Sequence, residues 1–261
     1  MIKEQDKFGD SNLLEGMVSV RAVLTVQNSA FNDRRILELY YAEERIPGHG
    51  KELAWLSHRA EEFGFPITHL PMASLDEMAI GNTHGGIIAK TSDRTIPSLN
   101  SDTAASLPAD GFFVMLEGIE DPYNFGYAMR SLYAAGVDAV ILPKRNWMSA
   151  AGVVSRASAG ASEQLPLYIA DDSCEAAVLL RNKGCRILCA DIDNSVSVYD
   201  ADLKRPLFLI VGGEKRGISR KLLDMADTVV RLDYGRPFEG ALSAASAASI
   251  LAFEVYRQNR G

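Results

Sequence analysis

FFVMLEGIEDPYNFGYAMRSLYAAGVDAVIL, residues Phe112 to Leu142, is the stretch on which the fold turns. It opens with a nearly continuous apolar run, Phe112 to Ile119, which has the make-up of a strand buried on both faces. A helical pattern follows from Asn124 to Ala135 and stops at Gly136, the residue type that ends helices without steric cost. A second apolar run, Ala139 to Leu142, comes directly after. Strand, helix, strand is the crossover unit of a parallel sheet.

The pattern repeats toward the C-terminus. Apolar runs at Arg186 to Ala190, Leu207 to Val211 and Thr228 to Leu232 alternate with helical segments around Ala150 to Ser158, Cys174 to Lys183 and Ser219 to Met225. The expectation is an α/β domain with a mostly parallel sheet and helices on both faces, with ligands at the carboxyl ends of the strands. Ser243 to Arg257 is rich in small residues and then amphipathic, which suits a closely packed terminal helix. Toward the N-terminus, Ser92 to Asp110 is rich in Ser, Thr, Asp and Pro without periodic apolar positions and reads as a linker. This divides the chain into residues 1–91, a linker at 92–110 and a second domain at 111–261. Within the first, Val18 to Val26 and Gly86 to Lys90 read as strands, and Arg34 to Glu44 and Lys51 to Phe63 as helices.

Composition bounds the function. The 261 residues are 47% hydrophobic and 23% charged, a globular balance. Cys174, Cys185 and Cys189 are odd in number and form no CxxC pair, which argues against a disulfide framework or a structural zinc site and for thiols in a reducing compartment. Neither a signal-like N-terminus nor a run approaching the ~18 apolar residues of a membrane span is present, so the expected location is the cytoplasm. A net charge of −7 gives no support of its own to a nucleic-acid partner, although a local basic patch can exist on an acidic protein.

Three stretches stand at strand ends. In Leu116 to Leu142, Asn124 is a cap-competent residue where a helix begins and Arg130 follows six positions later; a simple cap and a surface arginine are the bland alternative. In Leu207 to Leu232, a strand runs into Gly212-Gly213-Glu214-Lys215-Arg216-Gly217, which is neither a Walker loop nor GxGxxG and taken alone is a tight turn. In Arg236 to Gln258, the Ala and Ser run says close helix packing.

Together and in this order, the three resemble the motifs of the SpoU-type (TrmH-like) branch of the SPOUT RNA methyltransferases, the branch of tRNA and 23S rRNA ribose 2′-O-methyltransferases. The resemblance covers roughly residues 112 to 258 and includes VVSRASAGASEQLPLY, Val153 to Tyr168. GMVSVRAVL and THGGIIA are similar to the L30e-like RNA-binding domain that precedes the catalytic domain in many members.

The resemblance implies a trefoil-knotted C-terminal domain, a homodimer with sites near the subunit interface, S-adenosylmethionine as cofactor, tRNA or rRNA as partner, and no metal or membrane. It places Gly212, Gly217, Leu232 and Leu242 at cofactor-contacting positions, and Asn124, Arg130, Glu214 and Ser243 around the acceptor. The implied reaction is methyl transfer to a ribose 2′-hydroxyl, with Arg130 activating or orienting the hydroxyl. The third motif departs from the family. Ala241-Leu242-Ser243 stands for Ser-Leu-Asn, and Leu232-Asp233-Tyr234 for an Ile-Pro-Met-like turn. The loop Tyr234 to Gly240, with Arg236, Phe238 and Glu239, lines an altered substrate entrance or is an ordinary solvated loop. A noncatalytic RNA-binding or assembly protein, and a methyltransferase with a divergent acceptor, stay open as alternatives.

Overall fold

A computed structural model describes residues 12–81, 83–119, 121–144 and 146–260. The chain divides into two units, one of residues up to Thr95 together with Met148–Gln164, the other of Ile96–Trp147 and Leu165 onward.

In the first unit β1 (Leu13–Glu15), α1 (Gly16–Val26), β2 (Ile36–Ala42), α2 (Gly50–Phe63), β3 (Ile67–Leu70), α3 (Met72–Met78) and β4 (Ile87–Thr91) follow one another. Their sheet runs β1-β4-β2-β3, with β2 and β3 parallel and the other pairs antiparallel. Leu14, Val20, Val23, Leu39, Tyr41, Leu56 and Ile87 form its core.

Two sequence expectations are reversed here. Val18 to Val26 is helix, not strand: its β-branched residues favour a strand, but Val18, Arg21 and Thr25 are exposed at helical spacing while Val20, Val23 and Leu24 are buried. The segment expected as a helix from Arg34 to Glu44 holds strand β2 instead. Burial alternates from Asn32 to Leu37, yet two of the buried positions are the polar Asn32 and Arg34, which disguises the period. Arg34 is 3% exposed and held by Glu163. His84 is likewise buried, its Nε2 2.9 Å from Asp76 Oδ1 and its Nδ1 accepting from Gly86 N–H at 3.2 Å.

The second unit begins with α4 (Ser101–Ser106), β5 (Phe112–Glu117), α5 (Pro122–Ala134) and β6 (Ala139–Pro143). The next two helices, α6 (Ala151–Ala157) and α7 (Ala161–Gln164), belong to the first unit. Then come β7 (Leu167–Ala170), α8 (Ser173–Asn182), β8 (Arg186–Ala190), β9 (Val196–Ser197), β10 (Leu207–Gly212), α9 (Arg220–Met225), β11 (Thr228–Arg231) and α10 (Ala244–Asn259). The seven strands run in the order β7-β6-β5-β10-β8-β11-β9 and every neighbouring pair is parallel.

Such a sheet must be covered on both faces. On one, Phe113, Met115, Ile141, Cys189, Phe208 and Ile210 pack with Ala176, Ala177 and Leu180 of α8 and Leu222 of α9. The alternate residues Phe112, Val114 and Leu116 are equally buried, and α10 lies across β10 and against α5. Ser249 of α10 donates to Ser131 of α5 at 2.6 Å.

The stretch 92–110, expected as a linker, is structured. Asn100 Oδ1 accepts from the N–H groups of Asp102 and Thr103, and Asn100 N–H donates to Thr103 Oγ1, a reciprocal cap that starts α4. Leu99 and Leu107 on either side are buried in the same core cluster. Cys185 and Cys189 are buried, and that burial pushes their thiols up to about 11 and about 12. Among the described residues no helix is long and apolar enough to cross a membrane.

Candidate functional site

Strands β5 and β10 are neighbours at the centre of the sheet, and both end at the same edge, Gly212 level with Glu117. Past this edge the chain must turn twice in a small space, which sets the local sequence. Gly213 N–H donates to Glu117 O at 2.6 Å and Gly217 N–H to Gly213 O at 3.0 Å. A Cβ at Gly213 would lie 2.0 Å from Gly118 O, and one at Gly212 would lie 2.5 Å from the Gly217 carbonyl carbon. The glycines are there because backbone touches backbone.

Helix α5 starts at Asp121-Pro122. Asp121 is the cap, its carboxylate accepting from Asn124 N–H at 2.7 Å, and Pro122 sits where a missing N–H costs nothing. Asn124, expected as the cap, is therefore inside the first turn, and its side chain is available for other work. Its Nδ2 donates to Glu214 Oε1 at 3.4 Å, a long bond. The same Oε1 accepts from Ala244 N–H at 3.0 Å, at the start of α10. One carboxylate thus joins all three sequence stretches, and its charge lies at the positive end of a helix.

Ser243 caps that helix: its hydroxyl accepts from Ser246 N–H at 3.2 Å and pairs with the Ser246 hydroxyl at 3.1 Å. The structure therefore gives the Ser that stands for Asn a capping role. Leu232 and Leu242 are half-buried at the ends flanking the loop, and Leu242 N–H donates to the Tyr234 hydroxyl at 3.3 Å. Arg130 is exposed on α5 with no hydrogen bond or ion pair to any described residue. Six residues separate it from Asn124, about 120° around the helix, so it is not part of the Asn124–Glu214 contact.

Sequence reasoning missed Asp121, Trp147 and Tyr234. The Asp-Pro pair was a legible helix start. Trp147, whose Nε1 donates to Ile119 O at 2.8 Å and fixes the turn after β5, carried no local signal.

Beside the turn, Glu117 Oε1 accepts from the Ser173 hydroxyl at 3.2 Å while Oε2 is buried without a hydrogen-bond partner among the described residues. Burial pushes this carboxyl up; the Ser173 bond opposes the shift and the charge of Asp172 adds to it. A raised folded-state value means that its contribution is fully present below the ordinary carboxylate value and is lost as pH rises through the raised one. Glu117→Gln is therefore expected to raise the unfolding temperature at pH 8, with the gain vanishing near pH 4, in thermal scans at the two pH values.

Residues 111–253 match the sequence model of the SpoU rRNA Methylase family. A 23S rRNA (guanosine-2′-O-)-methyltransferase RlmB of Shewanella oneidensis is 30% identical over 263 residues, covering 99% of this chain and 100% of that protein. The RlmB of Photobacterium profundum is 27% identical and covers 96% of this chain and 99% of its own length. Among solved structures, an AdoMet-bound rRNA methyltransferase from Sinorhizobium meliloti superposes with a TM-score of 0.77 at 20% identity, over 100% of this chain and 92% of that one. The SpoU methyltransferase AviRb from Streptomyces viridochromogenes, in complex with AdoMet, gives 0.71 at 20% identity, over 94% of this chain and 89% of that one. At these identities the structural likenesses speak to the fold alone.

Proposed function

This chain belongs to the SpoU rRNA methylase family, and on that premise we propose that it transfers a methyl group from S-adenosylmethionine to a ribose 2′-hydroxyl of rRNA or tRNA. The observation that carries the reading is the Glu214 carboxylate, which draws Asn124 and the start of α10 to one point at the carboxyl ends of β5 and β10. In a parallel sheet this is where ligands bind.

The residues fit the cofactor. Leu232 and Leu242 are half-buried, the glycine turn offers backbone groups, and a Cβ at Gly217 would meet nothing within 4 Å. In this reading Gly212, Gly217, Leu232 and Leu242 hold it. S-adenosylmethionine supplies an electrophilic methyl on a sulfonium.

The chain's own task is to orient a weak nucleophile. A guanidinium has five donors and no acceptor, so Arg130 would hold the hydroxyl and an adjacent phosphate and stabilise developing negative charge, while the hydroxyl proton passes to solvent as the methyl is transferred and the sulfonium becomes a thioether. Asn124 and Glu214 fix the loops on either side, and Ser243 fixes the start of α10.

The finer architecture follows the same reading. Insertion of β10 between β5 and β8, with α10 returning onto α5, supports a trefoil-knotted domain. The mixed sheet of the first unit supports an L30e-like module. Exposed Tyr123 and Tyr127 on α5, with Ile250, Phe253 and Tyr256 on α10, support a homodimer formed through these helices. A cytoplasmic location suits RNA as partner.

The test is transfer of label from radiolabelled S-adenosylmethionine to total RNA from a strain lacking the protein, with the labelled nucleotide mapped. The expected product is a 2′-O-methyl nucleotide. A base-methylated product would overturn the ribose assignment, and cofactor binding without transfer to any RNA would overturn the activity.

A further inference from the structure

The loop between β11 and α10 is where this chain departs from its family's motif, and it carries an unusual display. Phe238 is 58% exposed and Tyr234 38% exposed, and their rings meet edge to face at 5.7 Å. Solvent-facing aromatic pairs are not held out by core packing; here the backbone holds them. The Tyr234 hydroxyl accepts the Leu242 N–H, two residues before the α10 N–H bound to Glu214. The Phe238 ring lies over Gly240, so that a Cβ there would meet the ring tip at 2.6 Å. Arg236 between them is exposed and makes no hydrogen bond or ion pair with a described residue, and the same holds for Arg216 in the glycine turn. The acidic neighbours are Glu239, also exposed, and Asp233, already engaged by Arg231 at 3.0 Å.

An exposed ring with unpaired guanidinium groups on the same and the adjoining loop is the chemistry that holds a single-stranded nucleotide, with its base on the π face and its phosphate on the cation. We propose that Tyr234, Arg236 and Phe238 form a stacking platform that seats a base of single-stranded RNA at the lip of the site, so that acceptor choice depends on this loop. The inference rests on the methyltransferase reading for its substrate. Phe238 supplies the stacking face, Tyr234 braces it and ties it to Leu242, and Arg236 takes the phosphate beside the stacked base. The stacking face of Phe238 therefore acts on RNA affinity and on which nucleotide is presented.

The test uses the full chain and separates the two readings. Phe238→Ala is expected to weaken binding of a short single-stranded RNA, and to raise KM for RNA, about tenfold, as loss of one stacked base does. Affinity for S-adenosylmethionine should stay within twofold and kcat should move less than KM. Phe238→Trp should keep the affinity and report directly. The fluorescence of the introduced indole should be quenched by the RNA and not by an abasic oligonucleotide of the same length, after subtraction of the wild-type signal from Trp55 and Trp147. Unchanged RNA affinity in Phe238→Ala, or an indole signal in Phe238→Trp that responds equally to abasic strand, overturns the platform. These binding readouts need no turnover, so a wild-type protein that binds RNA but transfers no methyl would sink the methyltransferase reading and leave the platform judged on its own result.

Discussion

Arg130→Ala is expected to reduce methyl transfer by about a hundredfold or more while leaving the fold and cofactor binding in place, because one donor that stabilises developing charge at the reacting centre contributes on the order of 10²–10³ in rate. The backbone beneath this residue is fixed without its side chain. Phe125, Ala128, Met129 and Leu132 bury one side of α5, Asp121 caps it, and Ser131 ties it to Ser249 of α10. The guanidinium is exposed and bonded to no described residue, so its removal should change stability by no more than about 0.5 kcal/mol. Arg130→Lys keeps a charge but loses the planar fork, and most of the activity should go with it. The measurement is single-turnover methyl transfer alongside calorimetric titration of S-adenosylmethionine. Transfer within threefold of wild type in the alanine variant would remove Arg130 from the mechanism.

The catalytic half was legible because its strands are almost purely apolar and helices α5 and α8 give way to Gly136 and Gly184. Phe112 to Glu117 and Leu207 to Gly212 needed nothing beyond composition to be placed. The site was legible only as three separate stretches. That Glu214 joins Asn124 to the first N–H of α10 is a fact of strand order, which inserts β10 beside β5, and no local pattern encodes it. The reading failed where polar residues set the local structure. Asn32 and Arg34 hid the alternation leading into β2, and the Asn100–Thr103 cap made a helix from a stretch that looked like linker. In the first place buried polar side chains are satisfied by specific partners, and in the second an exposed cap does the work; neither leaves a hydrophobic trace in a sequence.

Glu163→Gln is expected to destabilise the first unit by about 3–5 kcal/mol, the cost of leaving a buried charge without its partner. Glu163 is completely buried at the end of α7. Its Oε2 accepts from Arg34 Nε at 3.2 Å and Asn32 Nδ2 at 3.0 Å, and lies 3.9 Å from Arg94 Nη1. Arg34 also donates to the Thr91 hydroxyl and to Ser92 O, and Arg94 to Ser162 O, so both guanidinium groups are held in place. Burial lowers Arg94 to about 10, with Glu163 acting against the shift and Arg34 adding to it. The glutamine would remove the carboxylate charge that both guanidinium groups share. The carboxylate thus holds Met148–Gln164, a segment inside the family match, onto the sheet of the first unit. Denaturant unfolding followed through Trp55 in a Trp147→Phe background reads this unit by itself, since Trp147 belongs to the other. Adding Arg94→Met to Glu163→Gln should recover part of the loss, because it removes one of the two cations that shared the lost carboxylate. If Glu163→Gln costs less than about 1 kcal/mol, or if the second change only adds to the damage, the cluster is not held by the balance of its charges.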